Sequence, residues 1–183
     1  MNWTIIAGTN RKNSRSSIVA RKLESDLKAK LASGEKIEVI DLAELPTEIF
    51  HPEAYASKPE SFKKFETSML NSHALISVVP EYNGSFPGAF KYFLDMLPFP
   101  QSLSKVPAAF IGISAGRFGA LRAVEQVEQV FQYRHSYLFP KRVFISSLDQ
   151  NLDEKGNIKD AFLQEVYADF LSSFIEFAEK LKL

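Results

Sequence analysis

The 183-residue sequence contains no cysteine. Disulfides, thiolate metal sites, cysteine-ligated iron–sulfur clusters and cysteine nucleophiles are therefore excluded. Neither sign of charge is in excess, since 22 basic residues balance 22 acidic ones, so no global field attracts nucleic acid or an anionic membrane. No apolar run approaches the roughly 20 residues that span a bilayer. The sequence thus predicts neither a nucleic-acid-binding protein nor a membrane protein.

Histidine is also scarce. His51, His73 and His135 lack the short spacing of metal ligands, so neither a metal site nor a catalytic histidine is predicted. The first residues, MNWTIIAGTNRKNS, lack a basic stretch ahead of a long apolar segment, unlike a secretory signal, and a cytoplasmic location is expected. The length and the 45% hydrophobic content suit one domain over residues 1–183.

Short β-rich segments alternate with longer amphipathic ones along the chain. Three of the short segments are almost continuously apolar, as in strands that are covered on both faces. Apolar residues recur at helical spacing in the segments between them. Because right-handed crossovers place helices on both faces of a parallel sheet, the pattern predicts a three-layer, doubly wound α/β fold. The five predicted strands are residues 3–7, 37–40, 74–79, 108–113 and 143–146.

The loop after the first predicted strand, residues 8–17 (GTNRKNSRSS), holds three cations, four hydroxyls and no acid. In doubly wound sheets, ligands bind at the carboxyl ends of strands. Cations are unfavourable at a helix N-terminus unless an anion lies among them, and the backbone N–H groups there favour an anion too. The loop therefore indicates a phosphate site, although a solvated loop with a serine N-cap explains the same residues.

This loop is not one of the common phosphate-binding motifs. The dinucleotide motif G-x-G-x-x-G requires glycine where the chain has Asn10 and Asn13, and the P-loop motif also fails at Asn13. A conventional dinucleotide-binding domain and a P-loop nucleoside triphosphatase are both disfavoured.

The loop after the third predicted strand, residues 80–88 (PEYNGSFPG), combines turn residues with an aromatic side chain. Tyr82 offers a flat face, and Asn83 offers a paired donor and acceptor that suits the edge of a heteroaromatic ring. Gly84 permits a ligand to approach the backbone closely, and Ser85 is placed to cap the next helix. A structural turn explains the proline, asparagine and glycine without a ligand.

The loop after the fourth predicted strand is residues 114–119 (SAGRFG), in which two glycines leave amides available to a ligand. A tight strand-to-helix connection is the alternative explanation. Residues 112–116 (GISAG) also match the nucleophile elbow G-x-S-x-G of serine hydrolases. The only histidine after Ser114 is His135, and the acids between them lie within a predicted helix, so a Ser114 hydrolase is a minor alternative.

Together, the three loops resemble the NAD(P)H-dependent FMN reductase family, which includes azo-, quinone- and chromate-reducing members. The family's G-[ST]-x-R-x-x-S loop matches residues 8–14, its P-E-Y-N-x-[ST]-x-P-G-x-[LF]-K segment matches residues 80–91, and its S-x-G-x-x-G loop matches residues 114–119. The middle motif is the most specific. Members often have a second glycine where this chain has Ala120. The resemblance implies a flavodoxin-like fold with the parallel strand order 2-1-3-4-5.

The resemblance also implies the function and the site. Bound FMN passes a hydride from NADPH or NADH to a small-molecule acceptor such as a quinone, a free flavin or an azo compound, and no side chain need act as an acid or base. The implied contacts are Thr9, Arg11, Ser14 and Ser16 for the phosphate, Pro80, Glu81, Tyr82, Asn83 and Gly84 for the isoalloxazine, and Ser114, Ala115, Gly116, Arg117 and Gly119 for its pyrimidine side.

Family members commonly assemble, which implies a homodimer or homotetramer here. The apolar residues between positions 92 and 99 exceed what one helix face requires, so part of this segment is predicted to lie in a homodimer interface. Filling the core is the alternative role for them. These residues are Tyr92, Phe93, Met96, Leu97 and Phe99.

An electron carrier of the flavodoxin type, without a substrate of its own, is a second class of function. Such carriers have a hydroxyl-rich T-x-T-G-x-T phosphate loop and tend to be acidic. This chain has a basic loop and a net charge of zero, which favours the reductase.

Overall fold

A parallel sheet of five strands forms the centre of the protein, whose computed structural model describes residues 1–181. The strand order is β2-β1-β3-β4-β5, as predicted. Because β1 and β3 are neighbours, the direction of winding reverses between them. The strands are β1 (Asn2–Ala7), β2 (Lys36–Asp41), β3 (Ala74–Pro80), β4 (Pro107–Ile113) and β5 (Tyr137–Ile145).

Burial explains why some strands are easy to recognise in the sequence. Every residue of β3 and β4 is buried, so both strands are almost continuously apolar, with the polar Ser77 in β3, rather than alternating. β5 lies at the edge of the sheet and begins at Tyr137, earlier than the predicted start at residue 143. Its first half carries exposed residues and therefore lacks the apolar run that marks a buried strand.

Helices cover both faces of the sheet in the described residues. Two of them, α1 and α6, pack on one face, and α2, α3 and α4 pack on the other. One additional helix, α5, is a single turn of four residues, too short for a periodic apolar pattern, which is why it was not predicted. The helices are α1 (Arg15–Lys30), α2 (Lys63–Leu70), α3 (Gly88–Met96), α4 (Leu121–Tyr133), α5 (Leu148–Asn151) and α6 (Ala161–Lys180).

The caps of α1 and α3 differ in how well the sequence predicts them. Ser14 is the N-cap of α1, and its Oγ accepts a hydrogen bond from the Ser17 N–H at 3.1 Å. The prediction that Ser85 caps α3 is wrong. Its Oγ donates instead to Gln126 Oε1 at 2.6 Å, because reciprocal backbone bonds with Tyr82 hold Ser85 in the preceding turn.

The predicted interface segment divides between core and surface. Phe93 and Met96 are fully buried, and Leu97 is almost fully buried, so these three residues take the alternative role of filling the core. They fill the space between the sheet and the helices on its second face. Phe99 is 56% exposed and remains available to a partner. Across residues 1–181, we find no helix with the length and apolar character needed to cross a bilayer.

Candidate functional site

The carboxyl ends of β1, β3 and β4 open into a cleft of about 550 Å³. All three loops singled out from the sequence contribute to it, and it lies where the strand order reverses, the usual ligand position in doubly wound sheets. Of the predicted site residues, Thr9, Arg11, Ser14, Ser16, Pro80, Glu81, Tyr82, Ser114 and Ala115 line the cleft. Asn83, Gly84, Gly116, Arg117 and Gly119 do not appear in its lining.

The first loop presents hydrogen-bond donors without partners. The backbone N–H groups of residues 12–16 donate to no group within residues 1–181. Ser16 is 1% exposed and lines the cleft, and its hydroxyl has no hydrogen bond in the same range. Backbone N–H groups at a helix N-terminus that lack a partner favour an anion. This donor set therefore fits an anion such as a phosphate group.

The charged side chains of the first loop strengthen this fit. Arg11 and Lys12 are exposed, line the cleft and form no ion pair within the described residues. The Ser14 hydroxyl accepts from Ser17 and keeps its own proton for donation. A phosphate placed among these groups receives charge-assisted hydrogen bonds, which are stronger than neutral ones.

The second loop contains a two-residue turn. The Tyr82 N–H donates to the Ser85 carbonyl at 2.8 Å, and the Ser85 N–H donates back at 3.1 Å. Asn83 and Gly84 between them have φ of 53° and 75°, which explains the Asn-Gly pair, since both positions of such a turn need positive φ. The turn projects these two residues outward and leaves Tyr82 on the cleft.

Two glycines allow the third loop to pack closely against β5. A Cβ at Gly112 would lie 2.4 Å from the Gly119 carbonyl oxygen, and a Cβ at Gly119 would lie 2.8 Å from the Phe144 Cβ. The Ser114 N–H donates to the Ile145 carbonyl at 3.1 Å. The close packing of this loop places Ser114 and Ala115 at the cleft.

A fourth wall of the cleft was not predicted from the sequence. Leu148, Asp149 and Glu154, in the segment between β5 and α6, line the side that faces α1. Arg15 ties this segment to α1, with its Nη2 3.4 Å from Asp149 Oδ1 and its Nη1 3.4 Å from the Asp153 carbonyl oxygen. No local pattern marks these residues as part of the site, because the contact joins positions that are 134 residues apart.

The geometry contradicts the Ser114 hydrolase. His135 lies beside Lys105, whose N–H donates to the His135 carbonyl at 2.8 Å. Lys105 precedes β4 and Ser114 follows it, so the seven-residue strand, roughly 23 Å long, separates the histidine from the serine. The Ser114 hydroxyl donates to the Gly116 carbonyl instead, at 2.9 Å.

Comparison with known proteins agrees with the geometry. The family model described as NADPH-dependent FMN reductase matches residues 1–150. The chain is 30% identical over 153 residues to the NAD(P)H-dependent FMN reductase of Pseudomonas aeruginosa, covering 81% of this chain and 82% of that protein. It is 30% identical over 185 aligned positions to a quinone reductase of Pseudomonas putida, covering 98% and 94%.

A solved structure extends the likeness to the whole described fold. FerB of Paracoccus denitrificans, described as a flavoenzyme NAD(P)H:(acceptor) oxidoreductase, matches with a TM-score of 0.78 and 26% identity, covering 100% of this chain and 99% of its own. The family match includes all three loops of the cleft. The predicted flavodoxin-like fold, FMN cofactor and NAD(P)H oxidoreductase function are thereby confirmed. The chain belongs to the NADPH-dependent FMN reductase family.

Proposed function

We propose that FMN binds in the cleft with its phosphate at the first loop and its ring along the second and third loops, and that the electrons of NAD(P)H pass to a quinone-like acceptor. The observation that carries this proposal is the row of N–H donors at residues 12–16, which have no partner among residues 1–181 and line the same cleft as Tyr82 and Ser114. Bound FMN supplies the two-electron redox chemistry that the side chains of this protein lack.

The phosphate end consists of Arg11, Ser14 and Ser16, with Thr9 at its base. The two serine hydroxyls and the backbone N–H groups of residues 12–16 supply the donors, and Arg11 supplies a positive charge. Hydrogen bonds to a charged group contribute about 1.5–3 kcal/mol each. This end therefore provides most of the selectivity for FMN over riboflavin.

The ring end lies between Pro80, Glu81 and Tyr82 on one side and Ser114 and Ala115 on the other. The N–H of Ala115, which lines the cleft, has no partner within residues 1–181, and neither do those of Gly116 and Arg117, which follow it outside the cleft lining. Donors fixed in this way stabilise negative charge on a reduced ring, by the logic of an oxyanion hole. The remaining predicted contacts, from Asn83, Gly84 and Gly119, hold the two loops in shape.

The acceptor is proposed to be a small flat molecule such as a quinone. The similarity to the quinone reductase of Pseudomonas putida supports this class of substrate. No histidine is found among the described residues that line the cleft, and we propose that the acceptor stacks on the flavin and takes its protons from solvent.

Flavin titration and turnover test the proposal together. Adding the protein to FMN is expected to quench flavin fluorescence saturably at one FMN per chain, and the loaded protein is expected to oxidise NADPH or NADH when benzoquinone is present. An electron carrier would bind FMN but give no turnover without a partner reductase. The absence of any FMN binding would contradict the proposal itself.

We further propose a cytoplasmic homodimer that forms through the surface of Tyr55, Phe99 and Tyr133, here called the aromatic surface. These side chains are 70%, 56% and 73% exposed. Phe99 and Tyr133 lie with ring centroids 6.1 Å apart, and the buried Arg134 guanidinium supports Phe99 at 5.1 Å. Exposed apolar clusters of this kind mark interaction sites, and a patch that pairs with its own copy forms a symmetric dimer.

Phe99→Lys is expected to convert the dimer to a monomer at micromolar concentration, because the interface would then bury two unpaired ammonium groups. Phe162→Lys is the matched control, since Phe162 is 74% exposed on α6, away from the aromatic surface. Light scattering measures the mass of each. A monomeric wild type, or a dimer that tolerates Phe99→Lys, would exclude this interface.

A further inference from the structure

Thr9 is positioned unlike the other residues at the phosphate end of the cleft. It is 1% exposed, and its N–H already donates to the Ala7 carbonyl at 2.9 Å. Its Oγ1 accepts from the Arg11 N–H at 3.3 Å and lies 2.7 Å from the Tyr82 hydroxyl. A threonine hydroxyl has one proton. Whichever of the two hydroxyls is the donor, this hydrogen bond and the one from the Arg11 N–H engage Thr9 Oγ1 within the protein.

Tyr82 depends on this contact for the placement of its ring. The backbone of Tyr82 is fixed by its reciprocal hydrogen bonds with Ser85, and Gln126 anchors the same turn to α4. The side-chain torsions of Tyr82 remain to be set. Within residues 1–181, the Tyr82 hydroxyl forms a hydrogen bond only with Thr9. The Thr9 hydroxyl therefore determines where the Tyr82 ring stands in the cleft.

The side chain of Thr9 is also well suited to keep its hydroxyl pointing in one direction. Threonine is branched at Cβ, which restricts its χ1 torsion. Thr9 follows β1, Tyr82 follows β3, and the two strands pair with Ala7 opposite Val78. The hydrogen bond thus joins two loops that are 73 residues apart in sequence and adjacent at the same edge of the sheet.

We propose that Thr9 is a positioning residue: its hydroxyl forms a hydrogen bond with the Tyr82 hydroxyl and holds the Tyr82 ring against the flavin, and it does not bind the phosphate. This inference rests on the proposed flavin site and assigns the Thr9 side chain to the ring end of that site. Loss of the hydroxyl then weakens binding of the flavin ring whether or not the flavin carries a phosphate.

Comparison of FMN with riboflavin tests the assignment. Thr9→Val keeps the shape of the side chain and removes its hydroxyl. It is expected to lower the affinity for FMN and for riboflavin by the same factor, about tenfold, which is the effect of one typical hydrogen bond. Tyr82→Phe also removes the Thr9–Tyr82 hydrogen bond and is expected to weaken both flavins, and the double variant should bind no more weakly than Thr9→Val, which additionally removes the acceptor of the Arg11 N–H. Thr9→Ser keeps the hydroxyl and is therefore expected to bind both flavins with the affinity of the wild type. Ser14→Ala, at the phosphate end, should lower the affinity for FMN and leave the affinity for riboflavin unchanged.

Two outcomes of the flavin titration would overturn the proposal. If Thr9→Val lowered the affinity for FMN and left the affinity for riboflavin unchanged, Thr9 would be a phosphate ligand. If the losses from Thr9→Val and Tyr82→Phe were additive, the two hydroxyls would act independently. Melting temperatures confirm that each variant is folded before the affinities are compared.

A measurement without flavin separates this inference from the proposed function. With 3-fluorotyrosine incorporated at the six tyrosines, the fluorine spectrum of the flavin-free protein reports each ring, and Tyr82→Phe identifies the Tyr82 signal. Thr9→Val is expected to shift that signal and leave the other tyrosine signals in place, while Thr9→Ser and Ser14→Ala do not move it. An unmoved Tyr82 signal in Thr9→Val would refute the proposal, even if the wild type bound no flavin.

Discussion

Gly112→Ala is expected to lower the free energy of unfolding by about 3 kcal/mol, at the upper end of the range for overpacking in a core. Gly112 lies in β4, and an added Cβ would meet the Gly119 carbonyl oxygen at 2.4 Å, Phe144 Cδ1 at 2.8 Å and Val124 Cγ2 at 3.0 Å. The nearest atom is backbone and cannot rotate away. The third loop must therefore move outward, which also disturbs Ser114 at the cleft.

Gly88→Ala is the matched control for Gly112→Ala. No atom outside its immediate neighbours lies within 4 Å of a Cβ at Gly88, and its φ is not positive. The same substitution there is expected to change stability by no more than about 1 kcal/mol, in the stabilising direction, because alanine favours the helix over glycine. Urea denaturation measures the free energy of unfolding of both variants. Equal effects at the two positions would show that the loop contact at Gly112 is not tight.

Arg11→Gln is expected to weaken FMN binding by about 30-fold, the equivalent of one charge-assisted hydrogen bond of about 2 kcal/mol. Riboflavin, which has no phosphate, is expected to bind the variant as it binds the wild type. Because the interaction is between exposed charges, added salt should weaken FMN binding less in the variant than in the wild type. Flavin fluorescence gives both affinities at two ionic strengths.

Arg21→Gln provides the control for Arg11→Gln. Arg21 lies on α1 outside the cleft and pairs with Glu24 at 3.4 Å, so the variant changes the net charge equally without touching the proposed phosphate position. It is expected to bind FMN with the affinity of the wild type. A loss in Arg21→Gln as large as in Arg11→Gln would mean that general charge, rather than a phosphate contact, governs binding.

Local chemistry made several features of the site predictable. The polar composition of the first loop indicated an anion site, and the structure shows unpartnered N–H groups there at residues 12–16. A serine N-cap was the alternative explanation of this loop, and Ser14 provides it, because capping depends only on the following three residues. Tyr82 was singled out as an aromatic residue in an otherwise ordinary turn sequence, and it lines the cleft.

Long-range contacts decided what the sequence pattern left open. Ser85 has the chemistry of a cap, but Gln126, 41 residues later, accepts its hydroxyl proton. The apolar residues of α3 and the segment after it all looked suitable for an interface, and the packing of α2 against them determined that Phe93 is buried while Phe99 is exposed. The fourth wall of the cleft is likewise visible only once Arg15 meets Asp149.

The amino-acid sequence by itself determined the alternation of strands and helices and the three loops of the cleft, because apolar periodicity, turn residues and capping groups act over a few neighbouring positions. The strand order and the flavin chemistry were implied by the family resemblance that the motifs of these loops carry. Only the tertiary structure decided which hydroxyls are bound within the protein and which are left without a partner. Thr9 and Ser16 are equally buried residues of the cleft seven positions apart, yet the Thr9 hydroxyl lies against Tyr82 whereas the Ser16 hydroxyl has no hydrogen bond within residues 1–181. That difference arises from strand pairing, which brings together residues that are distant in the chain.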